Sequence, residues 1–87
     1  MNQTHTAEDR IRDFVRKHFP LAVKNGIKPN EKWLESGMID SLGILDLVHF
    51  LEEEFSLHIT DDELMPEYFE SLEAVTEFVR KKTEAKS

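Results

Sequence analysis

Apolar residues recur at helical spacing along much of the chain, most clearly between Ser41 and Phe55. When each residue advances by about 100°, one face of this segment collects the apolar side chains, as in a core-facing helix. These residues are Ile44, Leu47, Val48, Leu51 and Phe55. The opposite face is mostly polar and consists of Leu42, Asp46, His49 and Glu53. The pattern predicts an amphipathic helix with one buried stripe and one exposed ridge.

Two flanking segments show the same periodicity and predict a first and a last helix. In the first, Thr6 is the expected N-cap and Pro20 ends the pattern. Its buried stripe is Ala7, Ile11, Phe14, Val15 and Phe19. In the last, Ser71 is the expected cap and the stripe is Leu72, Val75, Phe78 and Val79. Residues 1–5 and 84–87 are expected to be a disordered terminus and a frayed tail.

The connections between these helices differ in length. Residues 20–40 form a long predicted loop, which is unusual in a small domain unless apolar residues pin it down. The residues expected to do so are Leu21, Val23, Ile27, Trp33, Leu34, Met38 and Ile39. Trp33 is interpreted as an anchor of the loop. After the central helix, Thr60 with Glu63 fits a capping box, and Pro66 is placed to begin another short turn.

These elements predict an all-α fold, because no segment alternates well enough to form a strand. We expect a small up-and-down four-helix bundle with a long first loop and a short third helix. The 87 residues are enough for one domain, with residues 1–87 forming a single unit and an ordered core at about 6–81.

Asp40 and Ser41 mark the start of the central helix and are the candidate functional site. Asp40 is expected to cap the helix, so Ser41 lies in its first turn, near water and the positive end of the helix dipole. That position suits an attached phosphate. It does not suit a nucleophile, because His49 lies about 12 Å away along the helix and no other base is near. We infer that another enzyme modifies Ser41, which argues against a hydrolase.

Charge and composition narrow the possible functions. The net charge is −7, and no Lys or Arg occurs between Trp33 and Val79. Such a field repels nucleic acid and attracts basic proteins, although an acidic surface also serves solubility alone. There is no cysteine, and the four histidines lack metal-ligand spacing. The sequence lacks an apolar run of about 20 residues and a signal-peptide core, so we expect a cytoplasmic protein without membrane insertion.

The run from Leu34 to Leu64 resembles the acyl carrier proteins. The resemblance rests on Leu34-Glu35-Ser36-Gly37-Met38-Ile39-Asp40-Ser41-Leu42, Leu45, Leu47, Glu52-Glu53-Glu54-Phe55, Ile59 and Asp61-Asp62-Glu63. In that family the serine of the Asp-Ser-Leu motif carries 4′-phosphopantetheine. The resemblance implies a carrier that is not itself an enzyme, with the cofactor on Ser41. Asp40 would also help to present Ser41 to a Mg²⁺-dependent transferase.

The implied partners are a phosphopantetheinyl transferase, a loading ligase or acyltransferase, and downstream synthase enzymes. The expected docking residues are Leu42, Asp46, His49, Glu52 and Glu53. Gly43 stands where fatty-acid carriers usually have an acid, and carriers loaded by adenylating ligases often have glycine there. The cargo therefore stays open between acyl and aminoacyl groups, including D-alanyl. We expect a monomer. The alternative function is an unmodified acidic adaptor that binds a basic protein.

Overall fold

The chain folds as a small all-α bundle in a computed structural model that describes residues 6–20, 22 and 26–86. Its α-helices are α1 (Ala7–His18), α2 (Trp33–Ser36), α3 (Ser41–Phe55) and α4 (Leu72–Lys86). Two 3₁₀ turns, Asp61–Glu63 and Pro66–Tyr68, lie between α3 and α4. The described part of the chain contains no strand, and the predicted all-α fold is confirmed.

The predicted helix caps are present at both flanking helices. The Thr6 hydroxyl accepts a hydrogen bond from the Asp9 N–H at 3.2 Å. The Ser71 hydroxyl accepts one from the Ala74 N–H at 3.1 Å. Each cap satisfies an N–H that has no partner within its helix, and so fixes where the helix begins.

Helix α4 continues beyond the predicted frayed tail, so that prediction was wrong for residues 84–86. Arg80 bonds to Glu77 on one side and to Glu84 at 2.6 Å on the other. Such i,i+3 and i,i+4 pairs favour the helical backbone, and the apolar stripe alone does not reveal them. Ser87 and the N-terminal residues 1–5 lie outside the described residues.

The connection between α1 and α3 was predicted to be a loop throughout. It contains helical backbone instead. Phe19 is extended, as expected before a proline, yet Pro20 and Ala22 are helical and α2 follows. Proline is well tolerated at the start of a helix, so it ends α1 without preventing a new turn. Leu21 and Val23, which were expected to pin this connection, lie outside the described residues.

The connection is held against the start of α4 by Trp33 and by backbone hydrogen bonds. Trp33 is fully buried, which confirms it as an anchor, and its N–H donates to the Glu70 carbonyl at 2.7 Å. The Glu73 N–H donates to the Pro29 carbonyl at 2.8 Å. Leu34 was expected to be an anchor but is 44% exposed, because α2 turns it away from the core.

The predicted short third helix is a pair of 3₁₀ turns. The Glu63 carboxylate accepts from the Thr60 N–H at 3.0 Å, as the capping-box pattern predicts. Pro66 begins the second turn, where its missing N–H is not needed. We call residues 61–69 the 3₁₀ segment.

The core joins all of these elements. α1 packs against α3 and α4, and α4 packs against the second 3₁₀ turn. The buried apolar residues are Ile11, Val15, Ala22, Trp33, Met38, Ile39, Leu47, Val48, Leu51, Leu57, Ile59, Phe69, Leu72, Val75, Phe78 and Val79. Ile44 and Phe55 of the predicted α3 stripe are only half-buried at its edge. Across the described ranges, no helix is both long and apolar enough to span a membrane.

Candidate functional site

Asp40 and Ser41 form the start of α3 as the sequence predicts. Asp40 has an extended backbone, and its carboxylate oxygen Oδ1 accepts from the Gly43 N–H at 2.7 Å. Ser41 is the first helical residue and is exposed. Because Asp40 makes the cap, the Ser41 hydroxyl is available for other chemistry beside the unpaired N–H groups of the first turn.

An apolar groove of about 210 Å³ lies directly beside Ser41. Residues from α2, α3 and the 3₁₀ segment line it, and among these described residues only Ser41 has a hydroxyl or charged side chain. The lining residues are Leu34, Ser41, Ile44, Leu45, Leu64, Met65, Pro66 and Phe69. The sequence reading missed this groove. Its signal was a set of apolar residues off the core stripes, such as Leu45, which is 50% exposed.

The predicted docking residues lie along the exposed face of α3, with one exception. Leu42 is 73% exposed, and Asp46, His49 and Glu53 are exposed on the same helix. We call these four residues the α3 ridge. Glu52 lies partly buried instead, and its carboxylate accepts from the Ile59 N–H at 3.0 Å. Glu52 therefore also holds the turn after α3.

A profile of the phosphopantetheine attachment site matches residues 9–79, most of the chain. The chain belongs to this family. It is also similar to the acyl carrier protein of Helicobacter hepaticus, with 44% identity over 39 residues. That match covers 45% of the chain and 51% of the relative, so the chain spans about half of the length of the protein it matches. The predicted resemblance is confirmed, and the chain is a carrier domain and not a catalyst.

The cofactor of the family is 4′-phosphopantetheine, as predicted, and the residues at the start of α3 fit it. An exposed serine provides the attachment atom, and the first turn of a helix favours a phosphate. The apolar groove lies directly beside this attachment atom. Among the described residues, no cluster of His, Cys, Asp or Glu side chains is arranged to hold a metal ion.

A larger depression between α1 and α3, of about 930 Å³, does not include Ser41. Charges of both signs line it, and several of them pair with each other. Arg10 lies 3.5 Å from Glu54, and Lys17 lies 3.1 Å from Asp13. This surface is mostly charged, whereas small-molecule sites are typically lined by apolar side chains with a few polar groups.

Close packing in this carrier domain explains why residue 43 is a glycine. A Cβ at this position would lie 2.6 Å from Cε1 of the Phe19 ring and 2.8 Å from Cγ2 of Ile39. The glycine therefore lets the end of α1 and the residue before Asp40 close over the first turns of α3. The contacts with Phe19 and Ile39 account for Gly43 without reference to the cargo.

We expect Gly43→Ala to destabilise the domain by about 1 kcal/mol, although alanine is the better helix former. The propensity gain of about 1 kcal/mol is smaller than an overpacking cost of about 1–3 kcal/mol. Chemical denaturation measures the difference. In a Phe19→Ala background the penalty should shrink, since the closest ring atoms are gone. A stabilised single variant would contradict the close contact.

Proposed function

We propose that the chain carries apolar acyl groups on a 4′-phosphopantetheine arm attached to the Ser41 hydroxyl. The observation that carries the proposal is the exposed serine at the start of α3 with an apolar groove on its flank. The bound group supplies a terminal thiol on a flexible arm, which holds the cargo as a thioester. The domain holds the arm in place and raises the effective concentration of the cargo at each partner enzyme.

The start of α3 favours attachment to Ser41. The Asp40 cap fixes the first turn through its bond to the Gly43 N–H, so Ser41 stays in a defined and accessible position. A phosphodiester on the serine oxygen lies at the positive end of the helix dipole. Asp40 is also the residue that we propose helps to present the serine to a transferase.

The lining of the groove favours an acyl over an aminoacyl cargo. None of the described residues that line it has a carboxylate that could pair with an ammonium group, and burying an unpaired charge is costly. Its volume of about 210 Å³ is below the roughly 300–1,000 Å³ of a drug-sized pocket, so it suits a short chain.

Intact mass spectrometry tests the attachment. The chain is incubated with coenzyme A and a broad-specificity phosphopantetheinyl transferase, and fragmentation then locates the added mass. We expect one phosphopantetheine, on Ser41. Phosphopantetheine found on another residue would identify that residue as the attachment point. A protein that gains no phosphopantetheine would favour the unmodified acidic adaptor.

Loading the same protein with either an octanoyl or an alanyl pantetheine tests the cargo. With the octanoyl group, we expect backbone amide NMR shifts to change at Leu45, Leu64 and Met65. With the alanyl group, changes should stay near Ser41, because a charged ammonium favours water over the groove. The opposite pattern would favour an aminoacyl cargo.

We propose that the transferase, the loading ligase or acyltransferase, and the downstream synthase enzymes dock on the α3 ridge. Leu42 supplies an exposed apolar contact beside Ser41, and Asp46 and Glu53 supply negative charge. His49 is placed to contribute a further contact. We include Glu52 at the edge of this surface, although its carboxylate is partly engaged with the Ile59 N–H.

The double variant Asp46→Lys with Glu53→Lys should be folded but loaded slowly. The charge change reverses the local field that steers basic partners, so the rate of association should fall. Loading of the wild type should also slow as salt rises, because exposed charges are screened beyond about 8–10 Å near physiological ionic strength. The measurement is loading rate against ionic strength, with circular dichroism to confirm folding.

Asp13→Lys with Glu84→Lys is the matched control. Both acids are exposed, lie on α1 and α4, and change the net charge by the same amount. This control should load at close to the wild-type rate. Equal loading rates for the two double variants would exclude the α3 ridge as the docking surface.

A further inference from the structure

Lys82, near the end of α4, makes a set of hydrogen bonds that the carrier function has not yet explained. Its ammonium group bonds to Glu63 Oε1 at 2.8 Å, to Glu63 Oε2 at 3.0 Å and to the His58 carbonyl at 2.8 Å. The Lys82 and Glu63 side chains are 23% and 29% exposed, less than either side chain of any other lysine or arginine ion pair among the described residues. Lys82 therefore ties α4 to the start of the 3₁₀ segment.

The residues that follow Glu63 form one wall of the groove beside Ser41. Leu64, Met65 and Pro66 line the groove, and Glu63 immediately precedes them. At its other end the segment is held by ring contacts, with Tyr68 stacked on Phe78 at 5.1 Å between centroids. The wall is thus fixed by an ion pair at one end and by aromatic packing at the other.

Glu63 is held by two partners that favour its charged form. The Lys82 ammonium group, followed by the Thr60 N–H, lowers the pKa of Glu63 below its ordinary value. The carboxylate therefore stays ionised around neutral pH, where the pair with Lys82 is complete. Loss of either charged partner leaves the start of the segment without this contact.

We propose that Lys82 and Glu63 are positioning residues that hold the groove wall closed over the acyl chain. This inference rests on the proposed function, because the groove is taken as the shelter of the cargo. When the pair is broken, Leu64 and Met65 lose their fixed position opposite Leu45. A chain long enough to enter the groove is then exposed to water and to partner enzymes more often.

The test compares Lys82→Met with Lys81→Met in the full chain. Lys81 is 71% exposed and its acidic partner, Glu77, lies 3.9 Å away, so its substitution removes the same charge without opening the pair. Each protein is loaded with an octanoyl or an acetyl pantetheine, and the thioester half-life is followed by mass spectrometry. Acetyl is too short to depend on the wall.

For Lys82→Met we expect the octanoyl half-life to fall about two- to fivefold, in keeping with the loss of a partly exposed ion pair. The acetyl half-life should be unchanged, and Lys81→Met should match the wild type for both groups. Glu63→Gln should repeat the octanoyl effect. A purely structural role would shorten both half-lives or neither, and either result would overturn the proposal.

Amide hydrogen exchange on the unloaded protein tests the role of the Lys82–Glu63 pair independently of any modification of Ser41. The Leu64 and Tyr68 N–H groups bond to Asp61 and Met65 within the 3₁₀ segment at 3.1 and 2.9 Å. Both should exchange faster in Lys82→Met but not in Lys81→Met. Failure to load would therefore count against the proposed function, whereas unchanged exchange would overturn the role of the pair.

Discussion

Truncating Leu51 to alanine should cost about 2–5 kcal/mol of unfolding free energy, the range measured for leucine cores. Leu51 and Leu47 are both fully buried on the inner face of α3. A domain of this size has only about 5–15 kcal/mol of stability, so either variant should lose a large fraction of it and unfold at a clearly lower urea concentration. Urea denaturation followed by the fluorescence of Trp33, the single tryptophan, measures the loss.

Leu45→Ala is the matched control for this change. It removes the same atoms from the same helix, but its side chain is 50% exposed beside the groove. We expect a smaller loss, because about half of its surface stays in water after folding. Equal losses at Leu45 and Leu51 would mean that the inner and outer faces of α3 were wrongly assigned.

The sequence predicted the three long helices because their information is local. A buried stripe repeats every three or four residues, and a cap lies within one turn of the N–H that it accepts from. Thr6, Asp40 and Ser71 are all found as caps for this reason. The exposed position of Ser41 follows from the same local rule.

The groove was not predictable in this way, because its walls come from three separate parts of the chain. Leu34, Leu45 and Met65 meet only after α2, α3 and the 3₁₀ segment have packed together. In the sequence, none of the three belongs to a predicted helix stripe, and apolar residues outside a stripe are common on protein surfaces. Periodicity therefore identified the serine but not the surface beside it.

The contacts of Gly43 and Lys82 were missed for a related reason. A glycine such as Gly43 weakens an isolated helix. Only the packed structure, in which the Phe19 ring lies against this position, shows why a larger residue does not fit. Lys82 is 19 residues from Glu63, and its place after Arg80 and Lys81 suggested a helix terminus and not a tertiary ion pair. The ammonium group at the end of a long lysine side chain can reach partners that no local sequence pattern specifies.

Ser41→Ala should abolish attachment of phosphopantetheine and leave the fold intact. The hydroxyl oxygen is the proposed attachment atom, so removing it removes the site completely. The Asp40 cap does not depend on Ser41, and an exposed substitution of this kind changes stability by no more than about 0.5 kcal/mol. Intact mass after transferase treatment and the melting curve together check both parts.

Ser36→Ala serves as the control, because Ser36 is an exposed serine in α2, two residues after Leu34. It should gain the phosphopantetheine mass as the wild type does. If Ser41→Ala still gained that mass, another hydroxyl would be the attachment point. A third outcome is that the wild type gains no phosphopantetheine mass and binds a basic partner as well as Ser41→Ala does. The chain would then act as an acidic adaptor. Full loading of the wild type and of Ser36→Ala, with none of Ser41→Ala, is the outcome that the start of α3 leads us to expect.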